Sequence, residues 1–278
     1  MLFLVFAILS SSAISIIMRI SSDKVSGNLS MLAVNYLTCA ILGAAYTGFD
    51  LAVPETPGSS LTVGLGILNG ILYLASFVLF QINTRKNGVV LSAIFMRLGL
   101  LVPIVVSVLF FHEIPTWLQI AGFCIAIGAI VLINLKKEST GKSFSVGLIA
   151  LLLTGGSADA MSKIFETLGP ASLSDLFLFY TFAVAFVLCV GLVIGKKERP
   201  GFRELLFGVL IGIPNFFSSK FLLGALITLP AVVVYPSFSV AIMLIVTLTG
   251  VAVFRERLRK SQWLAVGAII VALILLNI

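Results

Sequence analysis

The chain is a succession of apolar runs, and many of them are long enough to cross a lipid bilayer as an α-helix. A helix needs about 20 apolar residues to span a hydrocarbon core of about 30 Å. Only 10% of the residues are charged, whereas a soluble domain carries about 25%. Helices also satisfy their own backbone hydrogen bonds, which lipid cannot do. The sequence therefore predicts an all-α integral membrane protein.

We predict ten transmembrane helices joined by short connections. The predicted spans are 2–20, 29–48, 61–81, 88–110, 117–135, 144–163, 174–195, 203–225, 230–254 and 261–278. No connection is long enough to hold a soluble domain. The first segment starts without a basic region and has no convincing cleavage site, so we predict that it is the first helix and not a signal peptide.

An internal repeat predicts two five-helix halves, 1–138 (spans 1–5) and 139–278 (spans 6–10). Residues matched by a shift of 142 or 143 are Gly66 with Gly208, Gly70 with Gly212, Glu113 with Glu256 and Asn134 with Asn277. Each half holds an odd number of spans, so the halves must run through the membrane in opposite directions. Such inverted repeats are typical of secondary transporters, which expose one site near the bilayer midplane to each side in turn.

Lysine and arginine residues predict the orientation of these helices. The connections after spans 1, 3, 5, 7 and 9 hold fifteen of them, and the opposite face holds Lys163 alone. This bias places both termini outside the cytoplasm, in a multi-pass protein of the cell (cytoplasmic) membrane. It also explains the net charge of +7 without a nucleic-acid partner. The cluster from Arg255 to Lys260 is predicted to anchor the chain on anionic membrane lipid.

A motif joins the end of span 4 to the start of span 5. It reads Glu113-Ile-Pro-Thr-Trp-Leu-Gln-Ile-Ala-Gly122, with Gly128 further on, and a second copy runs from Glu256 through Gln262 to Gly267. The motif resembles the signature of the drug/metabolite transporter superfamily, EamA-like branch, and ten spans in two halves extend the resemblance over the whole chain.

The resemblance implies a secondary transporter, frequently an exporter of amino acids or other metabolites. It also implies cytoplasmic termini, which is the opposite of the orientation that the charge bias predicts. The chain departs from the family at Ser11 and Arg19, where many members have Trp and Lys. The second motif copy also has two extra residues between Glu256 and Gly267.

Charged residues inside the spans are candidate functional residues, because each costs about 2.5–3.5 kcal/mol on insertion scales. Arg97 lies near the bilayer centre in span 4. Its guanidinium is predicted to bind a carboxylate or phosphate of the substrate, with a structural salt bridge as the alternative. Asp159 and Lys220 lie at equal depth in spans 6 and 8, which predicts a coupling ion pair between them. The alternatives are a coupling proton on Asp159 and a Lys220 side chain that reaches the outer interface.

Spans 3 and 8 each carry polar side chains at repeat-related positions. These are Asn69, Tyr73 and Ser76 on one face of span 3, and Asn215 and Ser218 in span 8. Lipid disfavours a polar face, so we predict that these residues line a substrate cavity, with interhelical hydrogen bonding as the alternative. Glu113 and Glu256 end spans 4 and 9 at opposite membrane faces, and we predict that each is structural and bonds to the start of the next helix.

Together these patterns predict a secondary active transporter that works by alternating access, as a monomer or a homodimer. The substrate is predicted to be a small polar metabolite of the amino acid or organic anion class, with proton or cation coupling and no cofactor. Efflux of lipophilic cations is the alternative, which the buried basic residues disfavour. A channel would normally be built around a symmetric pore.

A membrane-embedded enzyme is the rival from another class. It would need a carboxylate pair, a histidine cluster or a metal motif, and the sequence offers none of these. His112 is the only histidine. The three cysteines lie inside apolar runs and are predicted to be small hydrophobic residues rather than disulfides or metal ligands; they are Cys39, Cys124 and Cys189.

Overall fold

The computed structural model describes residues 1–21, 24–52, 57–87, 92, 95–96, 98–134, 146–253 and 260–276. In these residues the chain forms ten α-helices, one short 3-10 helix (Ala171–Leu173) and no strand. The α-helices are α1 (Leu2–Ser21), α2 (Asn28–Tyr46), α3 (Ser59–Asn87), α4 (Leu101–Phe111), α5 (Trp117–Asn134), α6 (Val146–Leu168), α7 (Ser174–Gly195), α8 (Phe202–Thr228), α9 (Ala231–Ala252) and α10 (Lys260–Leu276).

Seven of the described helices, α1 to α3 and α6 to α9, are long and apolar enough to cross a membrane. Shorter apolar segments lie in α4, α5 and α10. Each predicted span overlaps one of these helices, so the prediction of a multi-helix membrane fold is confirmed. The inverted relation between the two halves stays a prediction.

Two helices, α2 and α9, begin after an N-cap residue that makes no side-chain hydrogen bond to the helix. Gly27 is the N-cap of α2, and Pro230 is the N-cap of α9. Proline suits the first turn of a helix because its ring fixes φ. Neither residue has a side-chain oxygen, so the first backbone N–H groups of α2 and α9 need acceptors from elsewhere in the chain.

The chain forms two compact units. Unit 1 consists of Met1–Leu74 and Met161–Thr228, and unit 2 consists of Ala75–Ala160 and Leu229–Ile278. Unit 1 therefore holds α1, α2, α7, α8 and parts of α3 and α6. The units do not follow the halves 1–138 and 139–278, because each unit combines helices from both. Those halves were defined by sequence similarity and stay a prediction.

Two pairs of glycines allow close helix packing in unit 1. Gly66 and Gly70 on α3 face α7, where a Cβ added at Gly70 would lie 2.5 Å from the Thr181 carbonyl oxygen. The repeat-related pair on α8 faces α2, where a Cβ at Gly212 would lie 2.6 Å from the Cβ atom of Thr38. Each glycine-bearing helix thus packs on the second helix of the other sequence half. This packing is reciprocal between the two sequence halves.

Unit 2 is held by two sets of helix contacts among its described residues. α5 packs along α10, where a Cβ added at Gly122 would lie 3.0 Å from the Cβ atom of Leu275. α9 packs against α4, α5 and α10. Gly156 in α6 lies against Gly99, just before α4, with no room for a Cβ between them. Small residues therefore bring α6 and the start of α4 together.

Candidate functional site

Four of the predicted substrate-binding residues, Asn69, Tyr73, Asn215 and Ser218, lie in unit 1. Ser76 is buried and lies in unit 2. Arg97 and Glu256 lie outside the described residues, so their predicted roles stay predictions.

Asn69 in α3 carries a buried acceptor that is not satisfied. The residue is 2% exposed, and its Nδ2 donates a hydrogen bond to Thr181 Oγ1 in α7 at 3.4 Å. Its Oδ1 atom has no hydrogen-bond partner among the described residues. A buried unsatisfied acceptor costs about 1–3 kcal/mol. Most buried polar groups are paired, so this oxygen marks a place for a donor on water or on a ligand.

Asn215 in α8 bonds to a second asparagine that sequence reasoning missed. Its Nδ2 donates to Oδ1 of the buried Asn35 in α2 at 3.1 Å. The hydroxyl of Ser218 donates to the Ala7 carbonyl oxygen in α1 at 3.4 Å. Both predicted residues thus make the interhelical hydrogen bonds that were the alternative to a cavity. We call Asn35, Asn69, Thr181 and Asn215 the polar cluster.

Four aromatic side chains of unit 1, one from each of the four helices that carry the polar cluster, form a row. The ring of Tyr73, one turn after Asn69, meets the buried Phe182 ring edge-on with centroids 5.9 Å apart. Phe182 lies 6.4 Å from Phe216, and Phe216 stacks on Tyr46 at 5.5 Å. We call Tyr73, Phe182, Phe216 and Tyr46 the aromatic row. Ring faces of this kind attract apolar groups and cations.

Lys220 in α8 forms an ion pair with an acid that the sequence did not identify. Its Nζ lies 2.5 Å from Oδ1 of Asp175 in the first turn of α7, and 3.7 Å from the centre of the Tyr46 ring. The predicted partner was Asp159, which lies in unit 2 and whose backbone carbonyl accepts the Tyr235 hydroxyl at 2.7 Å. Depth along a helix fixes only one coordinate, and neighbouring helices decide the partner. A coupling role for Asp159 stays a prediction.

A second ion pair lies within α6. Lys163 Nζ is 2.6 Å from Glu166 Oε2, one helical turn further on, and Lys163 is buried. The sequence predicted that span 6 ends at Lys163, but the helix continues to Leu168. The two opposite charges lie on one helix face, and such a pair stabilises a helix, so the lysine need not mark its end.

Two glutamates cap the start of α2, and neither was singled out from the sequence. Glu204 Oε1 accepts from the backbone N–H groups of Ser26 (3.1 Å) and Gly27 (3.3 Å), and Oε2 accepts from the Gly201 N–H at 3.1 Å. Glu198 Oε2 accepts from the Ser30 N–H at 3.1 Å. These hydrogen bonds join the start of α2 to the connection between α7 and α8 and to the first turn of α8.

Glu113 plays the capping role that was predicted, but on a different helix. Its Oε2 accepts from the Ala231 N–H at the start of α9 at 2.7 Å, whereas the prediction placed the bond at the start of α5. α5 caps itself: Gln119 Oε1 accepts from the Thr116 N–H at 3.0 Å, and Thr116 Oγ1 accepts from the Gln119 N–H at 3.2 Å. This capping box accounts for two residues of the sequence motif.

The described residues contain no group of three or more histidine, cysteine and acidic side chains that could hold a metal ion. The described residues do include an unsatisfied amide oxygen, hydrogen-bonded hydroxyl and amide side chains, a row of aromatic rings and an accessible ion pair.

The apolar helices are those of a multi-pass membrane protein. Residues 1–135 match the EamA-like transporter family. The resemblance to the drug/metabolite transporter superfamily is thereby confirmed. An uncharacterised protein of Haemophilus influenzae (strain ATCC 51907 / DSM 11121 / KW20 / Rd) is 27% identical in an alignment of 278 positions that covers 95% of this chain and 93% of the relative. A solved crystal structure shares the fold with a TM-score of 0.73 at 17% identity, covering 99% of this chain and 94% of the other.

Proposed function

We propose that this chain is a secondary active transporter that moves a small polar metabolite across the cytoplasmic membrane by alternating access. The proposed substrate is an amino acid or an organic anion, and export is the direction that the family resemblance favours. The observation that carries the proposal is the buried Oδ1 atom of Asn69, which lacks a donor among the described residues. A polar solute that donates a hydrogen bond there would remove a penalty of about 1–3 kcal/mol.

The surroundings of Asn69 suit a small polar solute. Small-molecule sites are mostly apolar, with a few placed polar groups that fix orientation. The polar cluster and the aromatic row supply this combination in unit 1. We propose that Tyr73, Asn215 and Ser218, all in unit 1, contribute to the same site, and that Ser76 is a substrate-binding residue of unit 2. Arg97, outside the described residues, is proposed to bind a carboxylate or phosphate of the substrate.

Efflux of lipophilic cations is the second candidate function, and the aromatic row favours it. The faces of tyrosine and phenylalanine rings attract cations within about 6 Å of the ring centre. Tyr46 already holds the Lys220 ammonium in this way. The two candidates differ in the charge of the solute, which makes them separable by a ligand screen.

A thermal-shift screen of the purified protein tests the proposal. The library contains amino acids, organic acids and lipophilic cations, and a ligand at 100 times its Kd stabilises the folded state by about 2.7 kcal/mol. Stabilising solutes are then assayed for uptake into proteoliposomes. Amino or organic acids that stabilise and are transported support the proposal, and cations alone would support the second candidate.

The variant Asn69→Leu tests the role of the unsatisfied oxygen. Without ligand, we expect the variant to be at least as stable as the parent, because it removes a buried unpaired acceptor and Thr181 Oγ1 keeps its bond to the Phe177 carbonyl. Its thermal shift with ligand should be lost. Thr62→Val is the control: it is also buried in α3, and its hydroxyl bonds only to Gly58 O. An unchanged ligand shift in Asn69→Leu would remove Asn69 from the site.

A further inference from the structure

The ion pair of Lys220 and Asp175 lies where three helices of unit 1 come together. Tyr46 is the last residue of α2, Asp175 lies in the first turn of α7, and Lys220 belongs to α8. The side chains of Lys220 and Asp175 are 27% and 26% exposed. The pair is therefore accessible and is not sealed into the core.

The two contacts of the Lys220 ammonium differ in kind. The carboxylate of Asp175 accepts a hydrogen bond from Nζ, while the Tyr46 ring lies 3.7 Å away and attracts the charge through its face. An ammonium has three N–H donors. The ring therefore holds the cation in place without taking the role of a hydrogen-bonded anion, and Asp175 is the partner that another anion can replace.

The pair is connected to the polar cluster by the aromatic row. Tyr46 stacks on Phe216 with a 29° angle between ring planes, and Phe216 leads through Phe182 to Tyr73. Tyr73 lies one helical turn from Asn69 on α3. The row therefore links Lys220 through the buried rings of Phe216 and Phe182 to the helix that carries Asn69.

The second ion pair of unit 1 shows what a purely structural pair looks like in this chain. Lys163 and Glu166 lie one turn apart on the same helix, and their side chains are 7% and 18% exposed. Lys220 and Asp175 come from different helices, 45 residues apart, and are more accessible. Only the latter pair can exchange a partner without disturbing the helix that carries it.

We propose that Lys220 is an anion-docking site, at which a carboxylate or phosphate group of the transported solute replaces Asp175 as the partner of the ammonium. The inference rests on the proposed transport function. In the empty site Asp175 neutralises Lys220, which lowers the cost of a charge among the helices. The arriving anion takes over this neutralisation and releases the Asp175 carboxylate to water.

Benzoate and its uncharged analogue benzamide test the site in the full chain, purified in a detergent without phospholipid. Lysine amines are dimethylated with ¹³C, and the Lys220 signal is assigned by its loss in Lys220→Gln. At constant ionic strength we expect benzoate, but not benzamide, to shift this signal. Equal shifts with both probes, or none with benzoate, would overturn the proposal. This wild-type titration does not depend on the folding of any variant.

The variant Asp175→Asn distinguishes partner exchange from a purely structural ion pair, because benzoate affinity should rise only if benzoate competes with Asp175 for Lys220. With its competitor removed, Lys220 should bind benzoate about tenfold more tightly, a change in Kd that corresponds to about 1.4 kcal/mol. Glu166→Gln, which opens the other ion pair, should leave the affinity unchanged. Weaker or unchanged benzoate binding in Asp175→Asn would contradict the exchange of partners.

Two further arms separate the possible outcomes. In nanodiscs, a Lys220 shift caused by replacing phosphatidylcholine with phosphatidylglycerol, without added solute, would assign the site to lipid headgroups and overturn the proposal. In proteoliposomes, normal transport with unchanged KM in Lys220→Gln would refute the docking site and leave the transport function standing. Benzoate binding with no transport of any library solute would refute the proposed function and leave the docking site standing.

Discussion

The carboxylate of Glu113, just after α4, accepts a 2.7 Å hydrogen bond from the backbone N–H of Ala231 in the first turn of α9. The N-cap of α9 is Pro230, which has no side-chain oxygen. The same arrangement recurs at α2, where the N-cap is Gly27 and Glu204 supplies the acceptor. Uncapped N–H groups are costly near lipid, and in both places an acid distant in sequence provides the cap.

We expect the loss of this cap to destabilise unit 2. Glu113→Ala should lower the free energy of unfolding by about 1–2 kcal/mol, because the Ala231 N–H loses its acceptor and the N-terminus of α9 loses a nearby negative charge. Glu113→Gln should cost less, since it keeps an oxygen. Denaturant unfolding in detergent micelles measures both. Asp50→Ala, at an exposed position, is the control and should stay within about 0.5 kcal/mol.

The repeat extends this prediction to a second cap. A shift of 143 residues carries Glu113 to Glu256 and Gly88 to Ala231, and Glu256 and Gly88 lie outside the described residues. If the halves are inverted, Glu256 should accept from the Gly88 N–H at the opposite membrane face. Glu256→Ala should then cost about as much as Glu113→Ala in the same assay. A cost near zero for Glu256→Ala alone would argue against symmetric caps.

The α2 cap should be more sensitive, because Glu204 serves three backbone N–H groups. We expect Glu204→Ala to lower the free energy of unfolding by about 2 kcal/mol or more. Gly201→Ala should weaken the same cap, since its Cβ would lie 2.7 Å from Glu204 Oε2 and push the carboxylate away. The double variant should therefore lose less than the sum of the single variants. Gly195→Ala, where a Cβ meets nothing within 4 Å, is the control.

The sequence predicted the helices well, because a span in lipid must be apolar and about 20 residues long whatever its neighbours are. It failed where a polar residue looked like the end of a span. Span 6 was predicted to end at Lys163, yet α6 runs to Leu168. Glu166, one turn further on, forms an ion pair with the lysine inside the helix. Local polarity cannot distinguish a helix end from an ion pair within the helix.

For the polar residues of unit 1, the sequence predicted positions along the helices but not hydrogen-bond partners. Asn69 and Asn215 were singled out because lipid disfavours amide side chains. Their partners, Thr181 and Asn35, depend on which helices are adjacent. The same limit explains why Lys220 was paired with Asp159 and not with Asp175. Sequence gives the depth of a residue along its helix, whereas partners are set by packing between helices.

The orientation of the chain in the membrane is a separate prediction, based on the bias of fifteen lysines and arginines to one. A fluorescent reporter that matures only in the cytoplasm, fused after Ile278, should stay dark in full-length protein. The same reporter inserted after Lys197, between α7 and α8, should fluoresce. The reverse pattern would instead support the cytoplasmic termini that the family resemblance implies.

The glycines that bring α3 onto α7 should control both stability and ligand binding. A Cβ at Gly70 would lie 2.5 Å from the Thr181 carbonyl oxygen, so Gly70→Ala must push α7 away. We expect it to cost about 1–3 kcal/mol of unfolding free energy. Because the Thr181 hydroxyl holds the Asn69 amide, the variant should also weaken the ligand-induced thermal shift. Gly64→Ala, on the same helix with nothing within 4 Å of its Cβ, should be neutral or stabilising by up to about 1 kcal/mol.

The repeat-related position makes the same test on the other half of the chain. A Cβ at Gly212 would lie 2.6 Å from Thr38 Cβ and 2.8 Å from the carbonyl oxygen of Asn35, whose side chain accepts from Asn215. Gly212→Ala should therefore match Gly70→Ala in its cost and in its effect on the ligand shift, with Gly191→Ala as the control without a close neighbour. Matching effects would mean that reciprocal glycine contacts fix both sides of the polar cluster. If Gly212→Ala behaves like Gly191→Ala, the reciprocal packing is not what holds α2 and α8 together.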